Sequence, residues 1–468
     1  MKHFKKVISL ALVLAMMFTI VACGKSEVNS GVETTSDYTN MEERTIRIGT
    51  WYDIYYDSTC SAIEDDPHCI GSIADQMRFD VIKKIEEEYN VKVEYVNLTY
   101  DGSKESINTS ILAGTPECDI YLVDLTMGVP AALNGLCTDL KTVVEEDADI
   151  VSENMILDYL DLGDGKACIL KQVLGQNVVE ATYPLGFNMQ MIEENNLEDP
   201  RDLYEKGEWT WDKFIEYSQI LTQDTDGDGV NDQYGFAGYA NDTFENLMLS
   251  NGASIAATSE ETLSTAETGE ALQFVSDLYN VYGVAAPYVD DADVMRFVYR
   301  DGKVGFWPTA AWIHGESDDY DREGTKGSTL EFDTAFVQWP VGPSGDAETN
   351  AGKLTAGTYW IIPAGVEDPE RVYNVFSALS NWYLGDISVR DDREAMDWWY
   401  SITSNKPEIQ DENFNTMFAI GSTEQFDLWS SLGVEYDLPS LIDGSSTAAQ
   451  FQETYKQEVQ AALDAYFN

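Results

Sequence analysis

The densest chemistry in the chain lies in Asp224-Thr225-Asp226-Gly227-Asp228-Gly229-Val230-Asn231-Asp232. Oxygens from Asp224, Asp226, Asp228, the Val230 carbonyl and Asp232 fall at positions 1, 3, 5, 7 and 9 of an EF-hand-like calcium loop. Gly229 stands where the sharp turn needs glycine. Four carboxylates this close repel one another unless a cation relieves them, so a structural Ca2+ is expected, against the alternative of an acidic turn without metal. The twelfth position, normally a bidentate Glu, is Gly235, so the remaining ligand must come from elsewhere. A second set is aromatic: Trp51, Tyr52, Trp307, Trp312, Tyr359 and Trp360. Sugar rings stack their C–H faces on aromatic planes, while their hydroxyls need carboxylate or amide partners in the same cleft. Taken singly, each Trp reads first as a core residue.

Hydrophobic periodicity supplies the elements that would position these groups. Ile46 and Ile48 alternate with polar partners across Thr45–Thr50, which predicts a strand. Ile73, Met77, Val81, Ile82, Ile85 and Tyr89 then recur at helical spacing. Val91, Val93 and Tyr95 alternate next, a short helix is expected near Ser106–Leu112, and Asp119–Val123 is a buried-strand candidate. Strand, helix, strand, helix, strand implies a parallel α/β layer. Ligands of such layers sit beyond the carboxyl ends of the strands, which selects Trp51 and Tyr52 after the first strand and Asp124 after the third.

A second region follows an extended segment, Gly175–Asn188. Trp211, Phe214 and Ile215 mark one face of a helix, and Leu272–Tyr282 predicts another. Gly302–Trp307 reads as a strand followed by a turn bearing Trp312, and Gly357–Pro363 as a strand carrying Tyr359 and Trp360. Asp368-Pro369-Glu370 is a helix start, a cap followed by Pro in the first turn, with Gly385 as the stop. Thr447–Phe467 is expected to be a last amphipathic helix.

Composition excludes several functions. Of 468 residues, 83 are acidic and 28 basic, a formal net charge of -55 that would repel nucleic acid. Only three His are present, so multi-histidine metal sites and catalysis are not expected. Lys2, Lys5 and Lys6 precede an apolar run from Val7 to Val21, too short for an ordinary spanning helix and in the position of a secretory signal. The run ends in Ile20-Val21-Ala22-Cys23-Gly24, similar to a bacterial lipobox, with Cys23 as the lipidated residue and a polar tether after it. A plain signal peptide is the alternative. Five cysteines remain, an odd number, and Cys60 with Cys69 could close a short disulfide or, with His68, mimic a metal site.

Taken together, Tyr183-Pro184-Leu185-Gly186-Phe187-Asn188, Glu198-Asp199-Pro200, Trp209-Thr210-Trp211-Asp212, the acidic loop and Gln233-Tyr234-Gly235-Phe236 resemble family 1 extracellular solute-binding proteins of bacterial sugar ABC importers. Ala113-Gly114-Thr115-Pro116, Gly302–Phe306, Trp339-Pro340-Val341-Gly342-Pro343 and Ile362-Pro363-Ala364-Gly365 extend the resemblance over most of the chain. It implies a two-lobed, type II periplasmic-binding-protein-like α/β fold with the solute in the cleft between lobes that close by hinge motion. Residues 1–22 would be the signal peptide and 23–43 the tether. Residues 44–180 with 338–384 would form the N-terminal lobe, and 181–337 with 385–468 the C-terminal lobe.

Carried over by position, the solute-binding residues are Trp51, Tyr52, Asp124, Trp307, Trp312, Tyr359 and Trp360. Pro116-Glu117-Cys118-Asp119-Ile120 is two residues longer than the family's usual Pro-Asp-Ile, which leaves the register of Asp124 open. The expectation is a non-enzymatic, lipid-anchored monomer on the extracellular face of the membrane, handing an oligosaccharide to a permease. A secreted glycoside hydrolase with paired carboxylates and a same-fold binder of peptide or polyamine are the rivals.

Overall fold

The computed structural model describes residues 40–66, 69, 71, 73–144, 166–171, 183–289, 298–308, 331–354, 359–384, 403–404 and 406–467. The leader, Cys23, residues 24–39 of the tether, residues 175–182 of the extended segment, His68, Trp312 and Gly385 lie outside the described residues, while Met41 near the tether's expected end is buried in the core.

Among the described residues, nine strands form two sheets. Strands β1 (Arg44–Thr50), β2 (Val91–Asn97), β3 (Ile120–Val123), β4 (Leu170–Lys171) and β9 (Tyr359–Ile361) make the first, in the order β2-β1-β3-β9-β4. Strands β5 (Leu185–Asn188), β6 (Tyr234–Phe236), β7 (Val304–Pro308) and β8 (Thr334–Val337) make the second, in the order β6-β7-β5-β8. In the first sheet β1 runs parallel to β2 and β3, joined through helix α1 (Ile73–Tyr89) and helix α2 (Tyr100–Ser106), as the alternation of patterns predicted. The layer is not wholly parallel: β9 enters antiparallel to both β3 and β4, because the chain returns from the second sheet at the opposite end. All four residues of β3 are buried, which is why its sequence reads as a continuous apolar run.

The long segment after β1 has a clear structural role. Strand β2 is an edge, and residues 57 and 58 cover it. Ser58 N donates to Val93 O at 3.0 Å, Val93 N to Ser58 Oγ at 2.8 Å and Tyr95 N to Asp57 Oδ2 at 3.3 Å. An edge with its polar groups satisfied in this way cannot recruit another strand. Cys60 and Cys69 sit in this segment, and none of the five cysteines from Cys60 to Cys168 is in a disulfide.

The expected helices form with shifted ends. Residues Ile107–Ile111 continue α2 as a π-helical turn, and helix α3 (Leu125–Leu133) follows β3 directly. Two short helices, α4 (Met189–Glu194) and α5 (Pro200–Glu205), precede α6 (Trp211–Leu221), whose Thr210 accepts from Lys213 N as N-cap. Helix α7 (Ala240–Ser250) follows β6, and α8 (Ala266–Asn280) begins earlier than its apolar stripe suggested because Thr265 caps it. Helix α9 (Pro369–Ser380) has Pro at its start, but Asp368 does not cap it. That residue adopts a left-handed backbone (φ 57°) and its carboxylate pairs with Arg371 at 3.1 Å. Helices α10 (Pro407–Gly421), α11 (Pro439–Ile442) and α12 (Ala448–Phe467) complete the chain, and Phe451, Val459 and Leu463 fix the last one to the core.

Candidate functional site

One end of each sheet gathers the polar and aromatic side chains. In the first sheet, Trp51 follows β1, Tyr100 opens the helix after β2, and Asp124 follows β3, so all three lie at the carboxyl ends of parallel strands. The Trp51 ring meets Tyr52 edge-on at 6.2 Å and Tyr100 at 5.9 Å. Tyr100 Oη donates to Asp124 Oδ2 at 2.6 Å, while Asp124 Oδ1 accepts from Thr126 Oγ1 at 2.7 Å and from Met127 N at 2.9 Å, capping α3. Burial and the adjacent Asp124 carboxylate hold the Tyr100 hydroxyl protonated, far above its ordinary pKa. Tyr52 remains 45% exposed. The structure therefore brings together three of the residues selected from sequence, Trp51, Tyr52 and Asp124, around a fourth, Tyr100, that was not.

The second wall comes from the other sheet. Tyr183 precedes β5, whose start pairs with the carboxyl end of β7, and Asp242 lies in the first turn of α7 after β6. Tyr183 meets Tyr239 edge-on at 6.5 Å, and Lys353 Nζ lies 5.5 Å from the Tyr183 ring centre. Burial raises the Tyr183 hydroxyl pKa, and Asp242, Tyr239 and Tyr100 act in the same direction while Lys353 opposes them. Tyr100 at the end of the first sheet thus lies near enough to Tyr183 at the end of the second to act on it electrostatically. Lys353 Nζ pairs with Asp242 Oδ1 and, at 3.2 Å, with Glu245 Oε2. Indole Nε1 of Trp339 donates to Tyr183 O at 2.9 Å and fixes the segment entering β5.

Three of the expected aromatics are placed otherwise. Trp307 lies in β7, as expected, but is 0% exposed rather than open to a cleft, its ring against Tyr239 at 5.1 Å and Tyr299 at 6.2 Å. It supports Tyr239 from behind and offers no open face. Tyr359 and Trp360 are also buried, because β9 is sandwiched between β3 and β4, and Trp360 packs on Phe376 of α9. Both sides of an interior strand are core positions, so the flanking small residues did not mark a cleft here. Tyr100 could have been found by the rule that gave Trp51 and Asp124, since it follows the second parallel strand; nothing local distinguishes Lys353 in the sequence.

The acidic loop forms a separate site. Asp224, Asp226 and Asp228 bring carboxylate oxygens within 4.8 Å of one another at the exposed surface. Asp224 accepts from Gly227 N and Gly229 N at 2.7 and 2.8 Å, Asp226 from Asp228 N at 3.0 Å and Asp228 from Val230 N at 2.8 Å, while Gly227 and Gly229 have φ of 80° and 93°. Hard oxygen donors converging in this way fit a calcium ion. Asp232 is held apart by Thr225, whose hydroxyl and N–H both bond its carboxylate and lower its pKa. No acidic side chain could occupy the twelfth position, because a Cβ on Gly235 would fall 2.2 Å from Ser218 O.

Residues 80–374 match the family profile described as bacterial extracellular solute-binding protein. The match spans more than half of the chain, which therefore belongs to that family; it is a solute-binding protein and not an enzyme. A search of curated proteins finds no match. The chain is similar in fold to a Thermotoga lettingae ABC transporter solute-binding protein bound with α-D-tagatose (17% identity, 90% of this chain and 99% of that one, TM-score 0.59). It is similar also to the cyclic α-maltosyl-1,6-maltose binding protein from Arthrobacter globiformis (19% identity, 90% and 99%, TM-score 0.58). A Mycobacterium tuberculosis protein in complex with glycerophosphocholine is related at 16% identity (91% and 99%, TM-score 0.58). These likenesses identify the two-lobed α/β fold, and no helix among the described residues is long and apolar enough to cross a membrane.

Proposed function

We propose that this protein captures a carbohydrate, an oligosaccharide by preference, between the ends of its two sheets and delivers it to the permease of an ABC importer. The observation that carries the reading is the convergence of Trp51, Tyr52 and Tyr100 with Asp124 on one side and of Tyr183 and Tyr239 with Asp242 on the other. Rings stack on sugar C–H faces, and fixed carboxylates accept from vicinal hydroxyls. The neighbours that bind tagatose and cyclic maltosyl-maltose support the class of solute. Capture by hinge closure needs no reaction, which separates this reading from a hydrolase.

Two further assignments belong to the same proposal. Cys23 after the lipobox-like run would carry the lipid that holds the protein at the outer face of the membrane, residues 1–22 being removed. Asp224, Asp226 and Asp228, with the Val230 carbonyl, would hold Ca2+ in a structural role and stiffen the loop between α6 and β6. Residues 44–180 with 338–384 would form the lobe of the first wall and 181–337 with 385–468 that of the second, Lys353 reaching across from the former to Asp242. Calorimetric titration of the protein with xylo-, manno-, malto- and galacto-oligosaccharides tests the solute, and mass spectrometry of the N-terminal peptide tests the anchor. Silence toward every sugar, or an unmodified Cys23, would remove the corresponding assignment.

A further inference from the structure

The most tightly buried ionic group in the site has an unequal charge count. Lys353 Nζ, on the segment between β8 and β9, is its one cation among the described residues and is 7% exposed. Asp242 and Glu245 of α7 both bond that ammonium, and Asp427, on the segment after α10, lies close enough to act on Glu245 electrostatically. Asp427 is itself committed to backbone donors, accepting from Ile255 N, Ala256 N and Trp429 N at 2.8 to 3.2 Å. Glu245 is 1% exposed, gives one oxygen to Lys353 at 3.2 Å, and its Oε1 has no hydrogen-bond partner among the described residues. Among the described residues Tyr436 also feels the Glu245 charge, and burial keeps its hydroxyl protonated.

A single buried ammonium cannot neutralise three carboxylates in a medium that solvates charge poorly. Asp242 has the more exposed carboxyl of the pair on Lys353, 16% against 1%. We propose that Glu245 is a proton-carrying positioning residue: it holds a proton behind Lys353, so that the ammonium stays on Asp242 and fixes that carboxylate as a solute-hydroxyl acceptor in the second wall. Loss of the proton gives Lys353 two full anions to share and loosens Asp242. Burial raises the Glu245 carboxyl to about 7, with Asp427 and Asp242 adding to the shift and Lys353 opposing it.

The folded protein binds this proton more tightly than the unfolded chain, so the contribution is fully present below about pH 4.5 and is lost as pH rises through about 7. The folding equilibrium constant loses roughly 300-fold across that window from this group alone. Urea unfolding of the full chain between pH 4.5 and 8.5 reads the loss, and Glu245→Gln, which imitates the protonated acid, should remove that part of the slope. The same slope in the variant overturns the proposal. If Glu245→Gln does not fold, infrared spectroscopy of the unaltered protein decides: a protonated-carboxyl C=O band present at pH 6 and gone by pH 8.5 supports the proposal, and its absence at pH 6 refutes it.

The positioning role rests on the proposed solute reading and is tested with maltotriose as probe. Affinity should be several-fold weaker at pH 8.5 than at pH 6 in the unaltered protein and independent of pH in Glu245→Gln; equal profiles overturn the positioning role. No heat with maltotriose at either pH would set aside that sugar, and the unfolding and infrared measurements would still decide whether Glu245 carries the proton.

Discussion

Replacing Tyr100 with Phe tests whether the site is a solute cleft or only a packed junction. The substitution keeps the ring that meets Trp51 at 5.9 Å and that lies 4.3 Å from Lys104 Nζ, and removes only the hydroxyl. That hydroxyl donates to Asp124 Oδ2 at 2.6 Å and lies 3.2 Å from Thr126 Oγ1. A hydrogen bond to a carboxylate is worth about 1.5–3 kcal/mol when well buried. Tyr100 is 38% exposed, and Asp124 keeps Thr126 Oγ1 and Met127 N as donors, so water can replace the lost bond and the folding cost falls to about 1 kcal/mol. In the solute complex, water is expelled and the Asp124 oxygen freed by the substitution is no longer held in register. A loss of about 1–2 kcal/mol in binding follows, or roughly 5–30-fold in affinity. Urea unfolding and calorimetric titration with the best sugar of the panel give the two numbers. A folded variant with unchanged affinity would refute the placement of Tyr100 and Asp124 in the cleft.

Trp307→Ala removes a fully buried ring and should cost about 3–5 kcal/mol in urea unfolding. Gly235→Ala should destabilise by about 3 kcal/mol, since the new methyl would fall 2.2 Å from Ser218 O and β6 must shift. Calcium at a hundredfold excess over its Kd should stabilise the protein by about 2.7 kcal/mol, and Asp226→Asn should abolish that gain.

Periodicity exposed the first sheet well because its strands and helices alternate within residues 44–123, where each element packs against its sequence neighbour. The rule for carboxyl ends of parallel strands then led to Trp51 and Asp124. It could not rank the aromatics on later strands, since Trp307 and Trp360 become core through pairings with distant segments: Gly186 opposite Trp307, and Leu122 and Leu170 opposite Trp360. The second wall was hidden for a similar reason. Lys353 reaches Asp242 across 111 positions, and a single Lys in an acidic chain carries no local sign of being buried. The calcium-like loop was legible because its donors alternate within nine residues, yet Asp232 bonds Thr225, beside the bridge between Gln223 and Gln233, a pairing its spacing does not announce.

The central claim is tested most directly by isothermal titration calorimetry of the protein, in calcium, against the xylo-, manno-, malto- and galacto-oligosaccharide panel, with Trp51→Ala titrated beside it. The account predicts saturable heat with one class of sugar, a flat baseline afterwards, and a loss of at least tenfold in affinity for the variant. Heat that continues after each injection would indicate turnover, and binding of spermidine or a peptide with silence toward every sugar would contradict the carbohydrate assignment.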